Sequence, residues 1–172
     1  MLVSVSVGIL IARLLVGGSL AAHGAQKLFG WFGGHGPTGT GAFFEQLGFR
    51  PGTLFAVAAG LGEFVGGILT LLGLLGATGP ALIVLVMLVA IFTVHISKGF
   101  FAANGGWELP AMNVAAVLGI AFATNGIYSL DAVLGVHFLT NPAHVWMALV
   151  AAIVLALLSI VARRPAAAPS SS

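Results

Sequence analysis

The chain has 172 residues, of which 59% are apolar and only 6% charged, and its mean hydropathy is +1.14. A soluble domain is about one quarter charged, so these side chains cannot cover a globule in water and lipid must supply part of the solvent. The formal charge of +2 rests on six basic and four acidic residues, too few for a nucleic-acid footprint, and the absence of cysteine excludes disulfides, thiol nucleophiles and cysteine-held iron–sulfur clusters within the chain.

In chain order, the first apolar stretch predicts a membrane span near 4–27. It lacks a basic leader and Arg13 interrupts it, so removal as a signal peptide is not expected. It ends in AAHGAQKLFG, where His23, Gln26 and Lys27 arrive together. The loop that follows contains GGHGPTGTG, which cannot hold regular structure cheaply. Phe43, Phe44 and Leu47 beside Glu45 and Gln46 predict a short interfacial helix over 41–49, phenylalanines toward the lipid. Further spans are expected near 53–76 and 80–97, joined by the tight hairpin GATG, then near 110–128 and 142–161. Pro80, Pro110 and Pro142 suit first helical turns, and Asn141 can cap the last helix. Residues 165–172 read as a disordered tail. The expectation is an all-α integral membrane bundle of five spans, forming one domain over 1–164.

With five spans, Lys27, Arg50, Lys98, Arg163 and Arg164 all fall on one side, and the connections on the other side hold no Lys or Arg. The positive-inside rule makes that side cytoplasmic, which puts the amino terminus outside, the carboxyl terminus inside, and the chain in the cytoplasmic (inner) membrane. Small residues recur at Gly17, Ala21 and Ala25 in the first span and at Gly62, Gly66 and Thr70 in the second, as helix-contact stripes do.

The informative residues are the polar ones inside the apolar stretches. At ~1.5 Å rise per residue, Arg13 and Glu63 both fall roughly 15–18 Å from the inner surface, which makes them candidate partners. The same reckoning puts His23, His95 and Asn113 about 3–6 Å from the inner hydrocarbon boundary, with Gln26, Lys27, Lys98 and Glu108 just outside. Each has a plainer reading. Arg13 and Glu63 can form a structural clamp, and Glu63 could instead be protonated and carry protons. The histidines can bond backbone or headgroups, or ligate haem iron or a metal, although no third ligand supports a metal site. Asn113 and Asn125 are commonly interhelical bonds, and Trp31, Trp107, Tyr128 and Trp146 read as interfacial anchors. Nothing singles out His35, His137 or His144. There is no GxGxxG after a strand and no paired-carboxylate active site.

From about Arg13 to Leu134 the chain resembles the DoxX family of small membrane proteins. The resemblance lies in ARLLVGGSLAAHGAQKLFG, FFEQLGF with Pro51, GLGEFVGGILTLLGL, VHISKGF and YSLDAVLG, in this order and spacing. It implies a four-helix membrane core with Arg13, His23, Lys27, Glu63, His95, Glu108 and Asp131 at characteristic positions. The fifth helix departs from the shortest members and reads as an accessory or interface helix. The family is commonly described as oxidoreductases, by relation to a membrane subunit of thiosulfate:quinone oxidoreductase, and some members look like anchors for redox-defence partners.

The reading that follows is a redox-linked membrane protein that binds a quinone or anchors a partner protein, a quinone-linked oxidoreductase or a membrane subunit of one. His23, His95 and Glu63 are the candidate catalytic residues, and Arg13, Lys27, Lys98 and Asn113 the candidate substrate-binding residues. A histidine can bond a quinone oxygen and exchange a proton, while Lys27 or Lys98 stabilises developing negative charge. Quinone is the suspected cofactor, with haem and flavin left open. The expected partners are the lipid bilayer, a redox protein and a second copy of the chain. A proton-coupled small-solute transporter centred on Glu63, and a scaffold without chemistry, are the alternatives.

Overall fold

A computed structural model describes residues 2–136, 139 and 141–164. His137 and the expected tail at 165–172 lie outside the described residues. The architecture is all-helical, as expected: α1 (Leu2–Phe29), α2 (Gly36–Gln46), α3 (Gly52–Leu72), α4 (Thr78–Ala90), α5 (Glu108–Ala123), the short α6 (Leu130–Leu134) and α7 (Pro142–Ala162). Beyond α4 the same rod continues as a π-helical turn, Ile91–His95, and a 3-10 turn, Ile96–Lys98. Among the described residues, four helical rods are long and apolar enough to cross a membrane: Val3–Phe29, Gly52–Leu72, Thr78–Lys98 and Pro142–Ala162. The fifth apolar helix, Glu108–Ala123, has 16 residues, about 24 Å of helix.

Helix α3 lies between α1 and α4, and two sets of glycines let it do so. On α1, a methyl group at Gly17 would sit 2.6 Å from the Leu71 backbone nitrogen and 2.7 Å from the Gly67 oxygen, and one at Gly24 would run into the backbone of Phe64 and Gly60. On the other side, Gly66 is backed by Leu82, Gly79 and Ile83, and Gly62 by Val86. The Gly62/Gly66 stripe therefore serves α4, while Gly60 and Gly67 serve α1. Backbones this close gain dispersion contacts that lipid tails cannot match. The apolar core centres on Leu20, Ile83, Val84, Met87 and Val117, closed by Val145, Leu149 and Ala152 of α7.

Three boundaries differ from the sequence expectation. Helix α2 starts at Gly36, inside the glycine-rich run expected to be irregular, and ends at Gln46. Pro37 sits in its first turn, and Gly41 is bare where α2 meets Thr53 at the start of α3, so tertiary contact outweighs the helix cost of glycine. Phe43 stays exposed, whereas Phe44 turns onto Phe49, which in turn meets Phe55. Helix α3 stops at Leu72, where Gly73 takes the left-handed conformation (φ 63°). Helix α5 stops at Ala123 rather than near 128, because Thr124 leaves the helix (φ 64°, ψ 174°) and the following backbone turns its carbonyls onto Arg13.

The ends of the bundle agree with the charge pattern. The Arg164 backbone N–H donates to Gly48 O at 2.7 Å, so the end of α7 meets the α2–α3 connection. At the opposite end, the Asp131 N–H donates to Gly73 O at 3.0 Å.

Candidate functional site

The structure separates the two intramembrane charges that the sequence paired. Arg13, 1% exposed, points away from Glu63 and spends its guanidinium on four backbone carbonyls. Nε donates to Thr70 O (3.0 Å), Nη2 to Leu71 O (2.9 Å), and Nη1 to Asn125 O (2.7 Å) and Tyr128 O (3.0 Å). Thr70 and Leu71 form the last turn of α3, where carbonyls have no intrahelical partner and the helix dipole favours a cation. Asp131, 2% exposed, supplies the opposing charge. Its own oxygens accept from Leu75 N (2.9 Å), Gly76 N (2.8 Å) and Asn125 Nδ2 (2.7 Å). This knot ties α1, α3, the α3–α4 turn and the α5–α6 segment together. Its members Asn125 and Asp131 were missing from the expected site, although connectivity carries a signal: position 13 and the connection after the fourth apolar helix share one end of the bundle.

Glu63, 4% exposed, is paired instead with Lys27, the one ion pair among the described residues. The reason is register. Lys27 and Leu28 lie against Gly60, so the first two turns of α3 run on past α1 to pack against α2. Equal counting from the two helix ends therefore misjudged the depth of Glu63 relative to Arg13. A helical side chain also leans toward its own amino terminus, which carries the Lys27 ammonium back to the level of Glu63.

Lys27 and Glu63 lie on the wall of a cavity of about 820 Å³, within the ~300–1,000 Å³ range of small-molecule sites. His23, His95 and Asn113 line the same cavity; Arg13 and Lys98 do not. Five of the seven expected site residues thus converge, from α1, α3, the π-turn and α5. The rest of the wall is mainly apolar, with Phe44, Phe55, Leu82, Val86 and Val94 among its members. Helix α7 reaches it through Leu155 and Ser159, so the fifth apolar span of the sequence helps to build the site. Thr93 and Ser159 are wall residues that the sequence reading passed over; Thr93 lies two positions before His95 in the same π-turn.

Each imidazole is oriented by a second group. His95 Nδ1 bonds Gly105 O at 2.6 Å, from the loop stitched by Trp107 N to Gly99 O and Glu108 N to Phe100 O. His95 closes a π-helical turn, a local widening often found at functional sites. His23 Nδ1 meets Gln26 Oε1 at 3.0 Å, and Gln26 Nε2 donates to Phe32 O at 3.2 Å. Asn113 Nδ2 approaches Met87 Sδ at 3.9 Å. Beside the main cavity lies a smaller one of about 270 Å³, lined by Gln26, His35, Thr40 and the glycines of the α1–α2 connection; Lys27 borders both. Lys98 instead lies over Gly105, outside the wall.

The DoxX family model matches residues 8–96, a little over half of the chain, from Gly8 within α1 to Ile96, just past the π-turn. Glu108 and Asp131, counted in the resemblance, lie beyond the match. No curated protein and no solved structure matches the chain. With four apolar helices of spanning length and this match, the chain belongs to the DoxX family and is a multi-pass membrane protein.

Proposed function

We propose that this protein binds a membrane quinone in the main cavity and serves redox chemistry at the cytoplasmic membrane. One observation carries the reading: His23, Lys27, Glu63, His95 and Asn113 share a single, mainly apolar cavity of ring-binding size. An apolar wall suits the ring and the start of an isoprenoid tail, and the few polar groups suit the ring oxygens. Interconversion of quinone and quinol moves two electrons and two protons. Protons are what this chain is equipped to handle, through His23 and His95 and the part-buried Lys27–Glu63 pair. Lys27 borders the smaller, more polar cavity as well, which favours a proton route from the basic end of the bundle. Without cysteine the chain has no dithiol to supply electrons, so a redox partner or a second bound group does so. The basic end, with Lys27, Arg50, Lys98, Arg163 and Arg164, faces the cytoplasm in this reading.

The test is a binding titration of the purified protein in nanodiscs with a short-tailed quinone and, anaerobically, its quinol. His23→Ala and His95→Ala are each expected to weaken quinol binding about tenfold, the loss of one hydrogen bond to a buried group. If both variants keep wild-type affinity and wild-type quinone-linked activity in the intact complex, the assignment is wrong.

A further inference from the structure

The imidazoles and hydroxyls of the cavity wall spend their hydrogens within the protein, which leaves lone pairs as what they can offer a ligand. His95 Nδ1 faces the Gly105 carbonyl at 2.6 Å. A carbonyl only accepts, so Nδ1 carries the proton, and the neutral ring offers the cavity a lone pair at Nε2. His23 is fixed the same way at one remove. Gln26 Nε2 donates to Phe32 O, so the amide oxygen must be the end that faces His23, and Nδ1 is again the donor. The Thr93 hydroxyl spends its hydrogen on Val89 O (2.8 Å) and that of Ser159 on Leu155 O (2.8 Å), which leaves both oxygens as acceptors. Glu63 accepts only; Lys27 occupies Oε2, leaving Oε1. The remaining donors are the Lys27 hydrogens not used on Glu63 and the Asn113 amide, itself turned partly toward Met87 Sδ.

Resting on the quinone-pocket reading above, we propose that this cavity selects the reduced, dihydroxy form of the ring over the oxidised, dicarbonyl form. A quinone oxygen can only accept, and it meets a wall that mostly accepts, so it surrenders hydrogen bonds to water with few replacements. A hydroquinone brings two O–H donors, and His23 Nε2, His95 Nε2, Thr93 Oγ1 and Ser159 Oγ can receive them. Sites built around a hydroxyl donor reject analogues that lack it far more strongly than apolar pockets reject a missing methylene. By linkage, tighter binding of the reduced form raises the midpoint potential of the bound couple above that of the free couple.

The experiment titrates the full-length protein in nanodiscs, anaerobically and at mildly alkaline pH where imidazole is ordinarily neutral. Three ligands with the same short tail are compared: a benzoquinone, its hydroquinone, and the dimethyl ether of that hydroquinone. The hydroquinone is expected to bind at least about tenfold tighter than the quinone, equivalent to about 30 mV in the bound two-electron couple. The ether, with similar shape and no donor, is expected to bind no tighter than the quinone. Thr93→Val and Ser159→Ala, which remove acceptors with little change of volume, are expected to narrow the gap by weakening the hydroquinone alone. If the quinone binds as tightly as the hydroquinone, or the ether matches the hydroquinone, the selection is refuted while the quinone pocket stands. If none of the three binds, the pocket reading and the selection fall together.

Discussion

Arg13 shows how one residue can be both costly and indispensable. Burying a guanidinium within an apolar helix is unfavourable unless its donors and its charge are met, and here four carbonyls and Asp131 meet them. Two of those carbonyls belong to the last turn of α3, where Thr70 O also accepts from the Gly73 N–H, and two to non-helical backbone, so Arg13 also satisfies Leu71 O, Asn125 O and Tyr128 O outside the regular helical ladder. Arg13→Met keeps the apolar stem and deletes the head. It is expected to destabilise the protein by about 3–5 kcal/mol, the cost of leaving Asp131 and buried carbonyls without a partner. Arg13→Lys is expected to recover only part, because three rotatable ammonium hydrogens cannot address carbonyls spread along a planar fork. Thermal unfolding in detergent measures both. Arg13 does not line the cavity, so any surviving folded Arg13→Met protein is expected to retain ligand affinity; lost affinity in a folded variant would place Arg13 in the binding machinery after all.

At the scale of the helix, contact geometry separates glycines that composition cannot tell apart. Gly24 faces α3 so closely that a methyl group would enter the backbone of Phe64 and Gly60, whereas nothing lies within 4 Å of the corresponding position on Gly119. Gly24→Ala is therefore expected to push α1 off α3 and cost about 1–3 kcal/mol, the range of overpacking in a tight core. Gly119→Ala is expected to be neutral or to stabilise α5 by up to about 1 kcal/mol through lower backbone entropy. Equal effects on unfolding would contradict the helix pairing. The same contrast explains what could be read without coordinates. Apolar spans were legible because hydropathy is a sum over neighbours in the chain, and the shared level expected for His23, His95 and Asn113, with Lys27 just outside, anticipated residues that line one cavity. The partner of Arg13 was not legible. It depended on how far α3 slides past α1, which α2 and the Gly60 contact decide, and no local pattern encodes that slide. The end of α5 was hidden for a related reason: the apolar composition continues past Ala123, but the backbone leaves the helix to serve Arg13 and Asp131.

For the molecule as a whole, these pieces bear on how many times the chain crosses the bilayer. At 16 residues α5 spans about 24 Å, short of the ~30 Å hydrocarbon core. Non-helical backbone cannot complete the crossing in contact with lipid, because each unpaired carbonyl there would cost several kcal/mol. Here three of its carbonyls are paired: Arg13 donates to Asn125 O and Tyr128 O, the Ser129 hydroxyl donates to Gly126 O, and Asn125 itself is buried. We propose that the charge knot allows a short helix and a stretch of irregular chain to serve as a fifth crossing. Five crossings would place Gln46 and Val133 on opposite faces of the membrane, Gln46 with the basic residues and Val133 beyond the knot. Because the native chain has no cysteine, Gln46→Cys and Val133→Cys each introduce a lone thiol, at exposed positions whose replacement removes no charge. With a membrane-impermeant maleimide, Val133→Cys is expected to react in intact spheroplasts, and Gln46→Cys only in inverted vesicles. Labelling of both from one side would mean that α5 does not cross, and the opposite assignment would invert the molecule in the membrane and carry the basic residues to the outer face.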